Sequence, residues 1–242
     1  ELNHVLDGVE FLDYDDRQQK KLTASDLGLA HRTSFLKTAE RRGIVLSVSF
    51  RLVKSPLSLP ISYPQLAEHL GVQPGESVPL ETLRSAVLSL RKSKGMVLDP
   101  GDEDSRSVGS FFVNPVVSEK FAHSLPAAAP KWLLTHSPSR VVELSGSGSN
   151  KATIGDREEP AEDSAVKLSA AWLIEHSGIA KGFSLPGNAA RVSSKHTLAL
   201  TNPGGATAED ITALARYIRT QVANTYGVLL QPEPSLIGLS LD

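Results

Sequence analysis

The stretch TAEDITALARYIRTQVANTYG, Thr207 to Gly227, constrains the fold more than any other part of the chain. Ile211, Leu214, Ile218 and Val222 recur at helical spacing and define one apolar stripe. Thr207 offers a hydroxyl cap, and Glu209 and Asp210 fall in the first turn, where the helix dipole favours acidic side chains. A helix this long and two-faced holds together by covering an apolar surface, which other elements must supply. Strands are the natural candidates. GIVLSVSFRL alternates Leu46, Val48, Phe50 and Leu52 with Ser47, Ser49 and Arg51, the pattern of a strand with one wet face, and SSKHTLALTN reads as another strand. The chain is therefore expected to be α+β.

The remaining elements fill in around these. VEFLDY predicts a strand followed by the polar turn DDRQQK, and LGLAHRTSFLKTAERRG predicts a loop joined to a short helical turn ending near Gly43. YPQLAEHLG predicts a second helical turn, started by Pro64 and stopped by Gly71. In VPLETLRSAVLSLRKSKG the period changes: Leu80, Leu83, Val87 and Leu90 lie on one helical face, with Pro79 near the first turn and Gly95 past the last. Arg84, Arg91 and Lys94 share another stripe of that helix, which in isolation is a solvated basic face. AVKLSAAWLIEHSG predicts a helix, and GVLLQPEPSLIG a closing strand. Residues 126–165 mix Pro, Ser, Gly and acidic residues with little periodicity and read as a long mobile insertion.

Charge and motif content narrow the chemistry. Lys plus Arg number 25 against 27 Asp plus Glu, so no overall basic field favours nucleic acid or an anionic membrane, and an anionic ligand must be met locally. No apolar run approaches the roughly 20 residues of a membrane helix, and no signal-peptide pattern opens the chain. The absence of cysteine excludes disulfides, thiolate metal sites and cysteine nucleophiles, and it fits a reducing cytoplasm. The histidines, at 4, 31, 69, 123, 136, 176 and 196, form no metal-ligand spacing and read as surface or capping residues. No nucleophile elbow or P-loop occurs, and SGSGSN lacks the strand that a dinucleotide-binding turn requires. Candidate chemistry rests on HRTS at 31–34, the basic stripe ending at Lys94, SVGSFFVNPVVSEKF from Ser107, and QPEP near the end.

In that order and spacing, LRKSKG, SVGSFFVNPVVS, KLSAAWLIEHSG, VSSKHTLALTNPGGATAEDI and GVLLQPEPSLIG resemble the UDP-N-acetylenolpyruvoylglucosamine reductase family across nearly the whole chain except the insertion. The resemblance implies a bacterial, cytoplasmic flavoenzyme in which NADPH reduces FAD and the flavin reduces UDP-N-acetylglucosamine enolpyruvate, yielding UDP-N-acetylmuramate for peptidoglycan. It implies Ser110 as proton donor, with Gly109 letting the backbone come close to the ligand, and Glu233 as the residue that orients or protonates the intermediate beside it. Arg32 would stabilise charge on the carboxylate side, while Arg91, Lys94 and Asn114 would hold the diphosphate. Departures from the family pattern are His31 where tyrosine is expected, Val113 within GSFFxNP, and Ser235 where some members carry arginine.

The resemblance also implies an organisation. Residues 1–78 would be the C-terminal half of the FAD-binding region, 79–220 the substrate-binding domain, and 221–242 a return segment, with the active site between domains. The family's glycine-rich flavin turns match nothing in these residues, and the chain opens with ELNHVLDGVEF and no methionine; both lead to the expectation of a fragment lacking the N-terminal flavin-domain half. Two other readings stay open: a non-catalytic UDP-sugar-binding module or truncated homologue without flavin, and a structural partner with no nucleotide affinity.

Overall fold

Phe11 and Val9, on alternate positions of strand β1 (Leu6–Asp13), are buried together with Leu22 of β2 (Gln19–Thr23) and Leu27 of the short 3-10 turn that follows. β1 is the middle strand of an antiparallel sheet, flanked by β2 and by β3 (Gly43–Phe50). These strands belong to the first of two compact units, Glu1–Ser58; the second is Leu59–Asp242. The structure, a computed structural model, describes residues 4–29, 33–38, 40–134 and 165–241.

β3 forms where alternation predicts it, but its apolar face is not covered. Leu46, Val48 and Phe50 are 49%, 46% and 48% exposed. The reason is position: β3 pairs with β1 alone and is an edge strand, so its apolar side chains have a neighbour on one flank only. The helical turn expected before Gly43 is a series of turns, held by the Ser34 carbonyl and hydroxyl accepting the Lys37 N–H.

In the second unit, helix α1 (Pro64–Leu70) packs with α2 (Leu80–Ser93). Ile61, Ala67 and Val78 make a small cluster against which Leu83 of α2 rests, so the segment 59–78 is built together with the helix after it. Ala86 is the most deeply buried residue of α2, and Leu80 lies outside the buried stripe at 46% exposure. Two small antiparallel sheets follow. One orders β4 (Ser107–Ser110), β9 (Ala199–Thr201) and β8 (Arg191–Val192); the other orders β5 (Val116–Ser118), β7 (Ala165–Leu168) and β6 (Lys131–Leu134). The short helices α3 (Glu119–Ser124) and α4 (Ala170–His176) each start on a serine, whose hydroxyl accepts the N–H of Phe121 and of Trp172 respectively.

Helix α5 (Ala208–Tyr226) closes the second unit. Thr207 and Asp210 form a reciprocal capping box, and Leu214, Ile218 and Val222 are fully buried while Ile211 packs at the margin. This stripe meets Leu173 and Ile174 of α4, Val192, Leu200, and the paired Phe111 and Phe112 in one core. Val228 and Leu230, beyond α5, belong to the same core. The closing strand expected at GVLLQPEPSLIG is reduced to one isolated bridge, Phe112 to Pro232, because Pro232 and Pro234 supply no N–H to a ladder. Of the expected insertion at 126–165, residues 131–134 form β6, and 135–164 lie outside the described residues.

Candidate functional site

Ser110 ends β4, and the strand is irregular just before it. Ser107 faces Thr201 and Ser110 faces Ala199, so three residue steps on β4 oppose two on β9. The extra residue is taken up by a bulge in which Gly109 adopts φ +82°, a conformation that disfavours any side chain. A Cβ on Gly109 would meet nothing within 4 Å, so the backbone is open to a ligand at that point. Immediately after it, Phe111 and Phe112 are 2% and 1% exposed and pack edge to face, which fixes the segment from below. Ser110 itself is half-buried, and among the described residues no hydrogen bond engages its hydroxyl.

Two neighbouring segments flank this serine. On one side the Phe111 N–H donates to the Leu198 carbonyl at 2.7 Å. On the other, the Glu233 N–H donates to the Phe111 carbonyl at 2.8 Å and the Val113 N–H to the Gln231 carbonyl at 3.0 Å. Glu233, exposed and far from Ser110 in sequence, is thereby set against the residue that follows it.

Asn114 stands four residues past Ser110. Its Oδ1 accepts the Ala170 N–H at 3.0 Å, at the start of α4, which leaves the Nδ2 donors directed away from that bond. The amide nitrogen is therefore the part of Asn114 left to donate elsewhere.

The basic residues come from the end of α2. Arg91 is exposed, and among the described residues its guanidinium has no ion-pair or hydrogen-bond partner. Lys94, the C-terminal cap, is half-buried and donates to Gln65 Oε1 at 2.9 Å. The side chains that face Lys94 were not singled out from sequence. His196, in the loop before β9, is half-buried; its pKa is lowered by burial first, then by the charges of Lys94 and Lys181, with Glu175 acting weakly in the opposite sense. His196 is therefore neutral at neutral pH, beside two cations. Thr197, buried, donates to Glu175. The one sequence signal for this cluster was KHT at the foot of a strand that pairs with the GSFF segment, and it needs the pairing to be known.

The structure thus sets Glu233 against the residue after Ser110 through backbone bonding and His196 within the electrostatic reach of Lys94, with Arg91 one turn from Lys94; Asn114 is held separately, by Ala170 at the start of α4. Arg32 and His31 lie outside the described residues. Among the described residues no group of three or more His, Cys, Asp or Glu could hold a metal ion, and no helix is long and apolar enough to cross a membrane.

Residues 99–237 match the family model "UDP-N-acetylenolpyruvoylglucosamine reductase, C-terminal domain". The bulged serine strand and the segment of Glu233 that bonds to it both lie within the matched residues, and this chain belongs to the UDP-N-acetylenolpyruvoylglucosamine reductase family. Two relatives carry that enzyme's name: a Leifsonia xyli protein, 48% identical over 100% of this chain and 65% of its own length, and a Thermobifida fusca protein, 46% identical over 91% and 56%. The chain accordingly spans 65% or less of the length of these two. The crystal structure of UDP-N-acetylenolpyruvylglucosamine reductase from Thermus caldophilus aligns at 19% identity and a TM-score of 0.46, over 96% of this chain and 53% of that one.

Proposed function

We propose that the protein to which this chain belongs is an NADPH-dependent flavoenzyme that reduces UDP-N-acetylglucosamine enolpyruvate to UDP-N-acetylmuramate, in the bacterial cytoplasm and in service of peptidoglycan synthesis. The observation that supports this reading is the hydrogen bond from Glu233 N–H to the Phe111 carbonyl, which joins the backbone of QPEP to that of GSFF at the residue next to Ser110. FAD, reduced by NADPH, would supply hydride to the enolpyruvyl double bond. Everything else asked of these residues is positioning and proton transfer.

Hydride addition to that double bond leaves carbanion character next to a carboxylate, which must be quenched by a proton. Ser110 is suited to the task by its place: its hydroxyl is uncommitted, it stands at a bulge beside an open glycine face, and buried phenylalanines hold it from behind. An unperturbed alcohol is a poor acid, but a basic carbanion held in contact takes its proton readily. Glu233 would orient that exchange, and Arg32 would hold the adjoining carboxylate. Arg91, Lys94 and Asn114 would bind the diphosphate, and Lys181 would add to the same positive charge, with the neutral His196 imidazole beside it. The open face at Gly109 fits a flat reactant brought against the serine; the residues that grip FAD itself are not identified among those described. In this reading the first unit, Glu1–Ser58, would derive from the flavin-binding region and the second, Leu59–Asp242, would hold the substrate-binding part.

The test uses the full-length protein. Its visible spectrum should show an oxidised-flavin band that NADPH bleaches and UDP-N-acetylglucosamine enolpyruvate restores. In Ser110→Ala the bleaching should persist while turnover falls by about 10²–10⁴. Unchanged turnover would remove Ser110 as donor, and a protein without the flavin band that still binds UDP-sugar would be a binding module.

A further inference from the structure

The residues that hold the basic face in place are themselves unusual. Asp104, in the 3-10 turn Glu103–Ser105, is 5% exposed. Its Oδ1 accepts the Ser194 N–H at 3.0 Å and its Oδ2 the Ser194 hydroxyl at 2.5 Å. Burial raises its pKa, but the bonds from Ser194 and Ser193 and the charge of Lys195 outweigh this and hold the carboxyl below its ordinary range, so it is ionised. Ser193, fully buried, accepts in turn the N–H groups of Lys195 and His196 at 3.0 and 3.2 Å.

The other side of Asp104 meets the end of α2. Gly95, at φ +69°, lies so close that a Cβ there would come within 2.9 Å of Asp104 Cβ and 3.1 Å of its carbonyl oxygen. Gly95 directly follows Lys94 and closes the helix turn that carries Arg91. Around this contact the two segments are bolted together at their rims: Lys195 pairs with Asp102 at 2.6 Å, Arg191 with Glu103, and Lys92 of α2 with Asp99 at 3.0 Å. The rim pairs are partly exposed and individually weak, whereas the buried, multiply bonded Asp104 cannot be removed without leaving donors unpaired.

We propose that Asp104 is a positioning residue for substrate binding, joining the end of α2 that carries Arg91 and Lys94 to the 193–196 loop that carries His196. It touches no substrate itself. It acts by keeping the Arg91 and Lys94 cations and the neutral His196 imidazole, carried on segments distant in sequence, at one separation suited to a diphosphate, and the 193–196 loop leads on through Leu198 to Phe111 and Ser110. The inference rests on the reading that Lys94 binds the diphosphate.

A double-mutant cycle in the full-length protein, read by calorimetric titration with UDP-N-acetylglucosamine, tests it. Lys94→Ala should weaken binding by about tenfold or more, and Asp104→Asn, which keeps the shape but replaces an acceptor with a donor, by a similar factor. If Asp104 acts through Lys94, the double variant should bind hardly more weakly than either single variant. Ser194→Ala, which removes a single hydroxyl donor, should give a smaller loss of a few fold that is likewise absent in the Lys94→Ala background. Multiplying losses in the double variant, or normal binding by Asp104→Asn, would overturn the proposal. An unaffected Lys94→Ala alone would overturn the diphosphate reading instead, so the two failures are distinguishable.

Discussion

Two glycines in the second unit make a controlled comparison. Gly71 caps α1 and Gly95 follows the cap of α2, and both adopt φ +69°. Alanine at either position must enter the left-handed region, at a cost of about 1–2 kcal/mol, partly offset by the lower entropy of the unfolded chain. At Gly71 the new methyl would meet nothing within 4 Å, so the net loss should be about 1 kcal/mol. At Gly95 the methyl would lie 2.9 Å from Asp104 Cβ and 3.2 Å from its carbonyl carbon, atoms of a buried residue that cannot swing aside. Overpacking of that kind costs a further 1–3 kcal/mol or so, giving about 2–4 kcal/mol in all. Urea denaturation followed by circular dichroism reads both: Gly95→Ala should lower the midpoint two- to fourfold more than Gly71→Ala, at unchanged slope. Equal midpoint shifts would refute the claim that the α2 end is clamped against Asp104. Gly95→Ala should also weaken UDP-sugar binding, and Gly71→Ala should not.

Other outcomes follow from the same geometry. His196 should titrate below the ordinary histidine range in NMR spectra, because burial and the Lys94 and Lys181 charges disfavour its cation; inorganic pyrophosphate should raise that value, and an unmoved titration would place the anion elsewhere. The sign for stability is set by the same depression: this histidine's contribution is complete above about pH 6.5 and is lost as pH falls through its folded-state value, so His196→Gln should flatten the acid side of the stability profile. Ile218→Ala, at a fully buried position of α5, should cost about 2–5 kcal/mol, whereas Ile237→Ala, 90% exposed, should stay within about 0.5 kcal/mol. Comparable losses at the two positions would contradict the burial of the α5 stripe.

What could be read without coordinates was whatever local chemistry decides. The α5 boundaries follow from Thr207, Asp210 and Gly227, since a capping box and a left-handed glycine are short-range devices. The same holds for α1, opened by Pro64 and closed by Gly71. Alternation located β3, but whether an alternating face is covered depends on what lies beside the strand, and no pattern within GIVLSVSF carries that. The basic stripe of α2 was legible as charge spacing, while the partners of Lys94 were not. His196 reads from sequence as a surface or capping histidine, and nothing in DEDSRS signals a structural role, because their meaning comes from pairings across about 90 residues of chain. Asp104 illustrates the rule best: an aspartate that closes an acidic triplet, after Asp102 and Glu103, gives no sign of burial until Ser194 is seen to donate to it twice.

The bulge at Gly109 gives a physical reason for the order of residues around the serine. A weak acid contributes to proton transfer only if it is held within hydrogen-bond reach of the atom it must protonate, since misplacement of about 1 Å can cost a hundredfold in rate. A serine in a regular strand would face wherever the pleat directs it; the extra residue of a bulge re-aims it, and the glycine removes the side chain that would cover it. Freedom at Gly109 would also allow the segment to drift, and the two phenylalanines that follow answer that, being locked in the core with their backbone bonded to Leu198 on one flank and to Glu233 on the other. In the proposed reading the glycine, serine and phenylalanines of GSFF would therefore divide the labour of opening, donating and anchoring. A change at either phenylalanine should be felt at Ser110 as lost turnover before it is felt as lost fold.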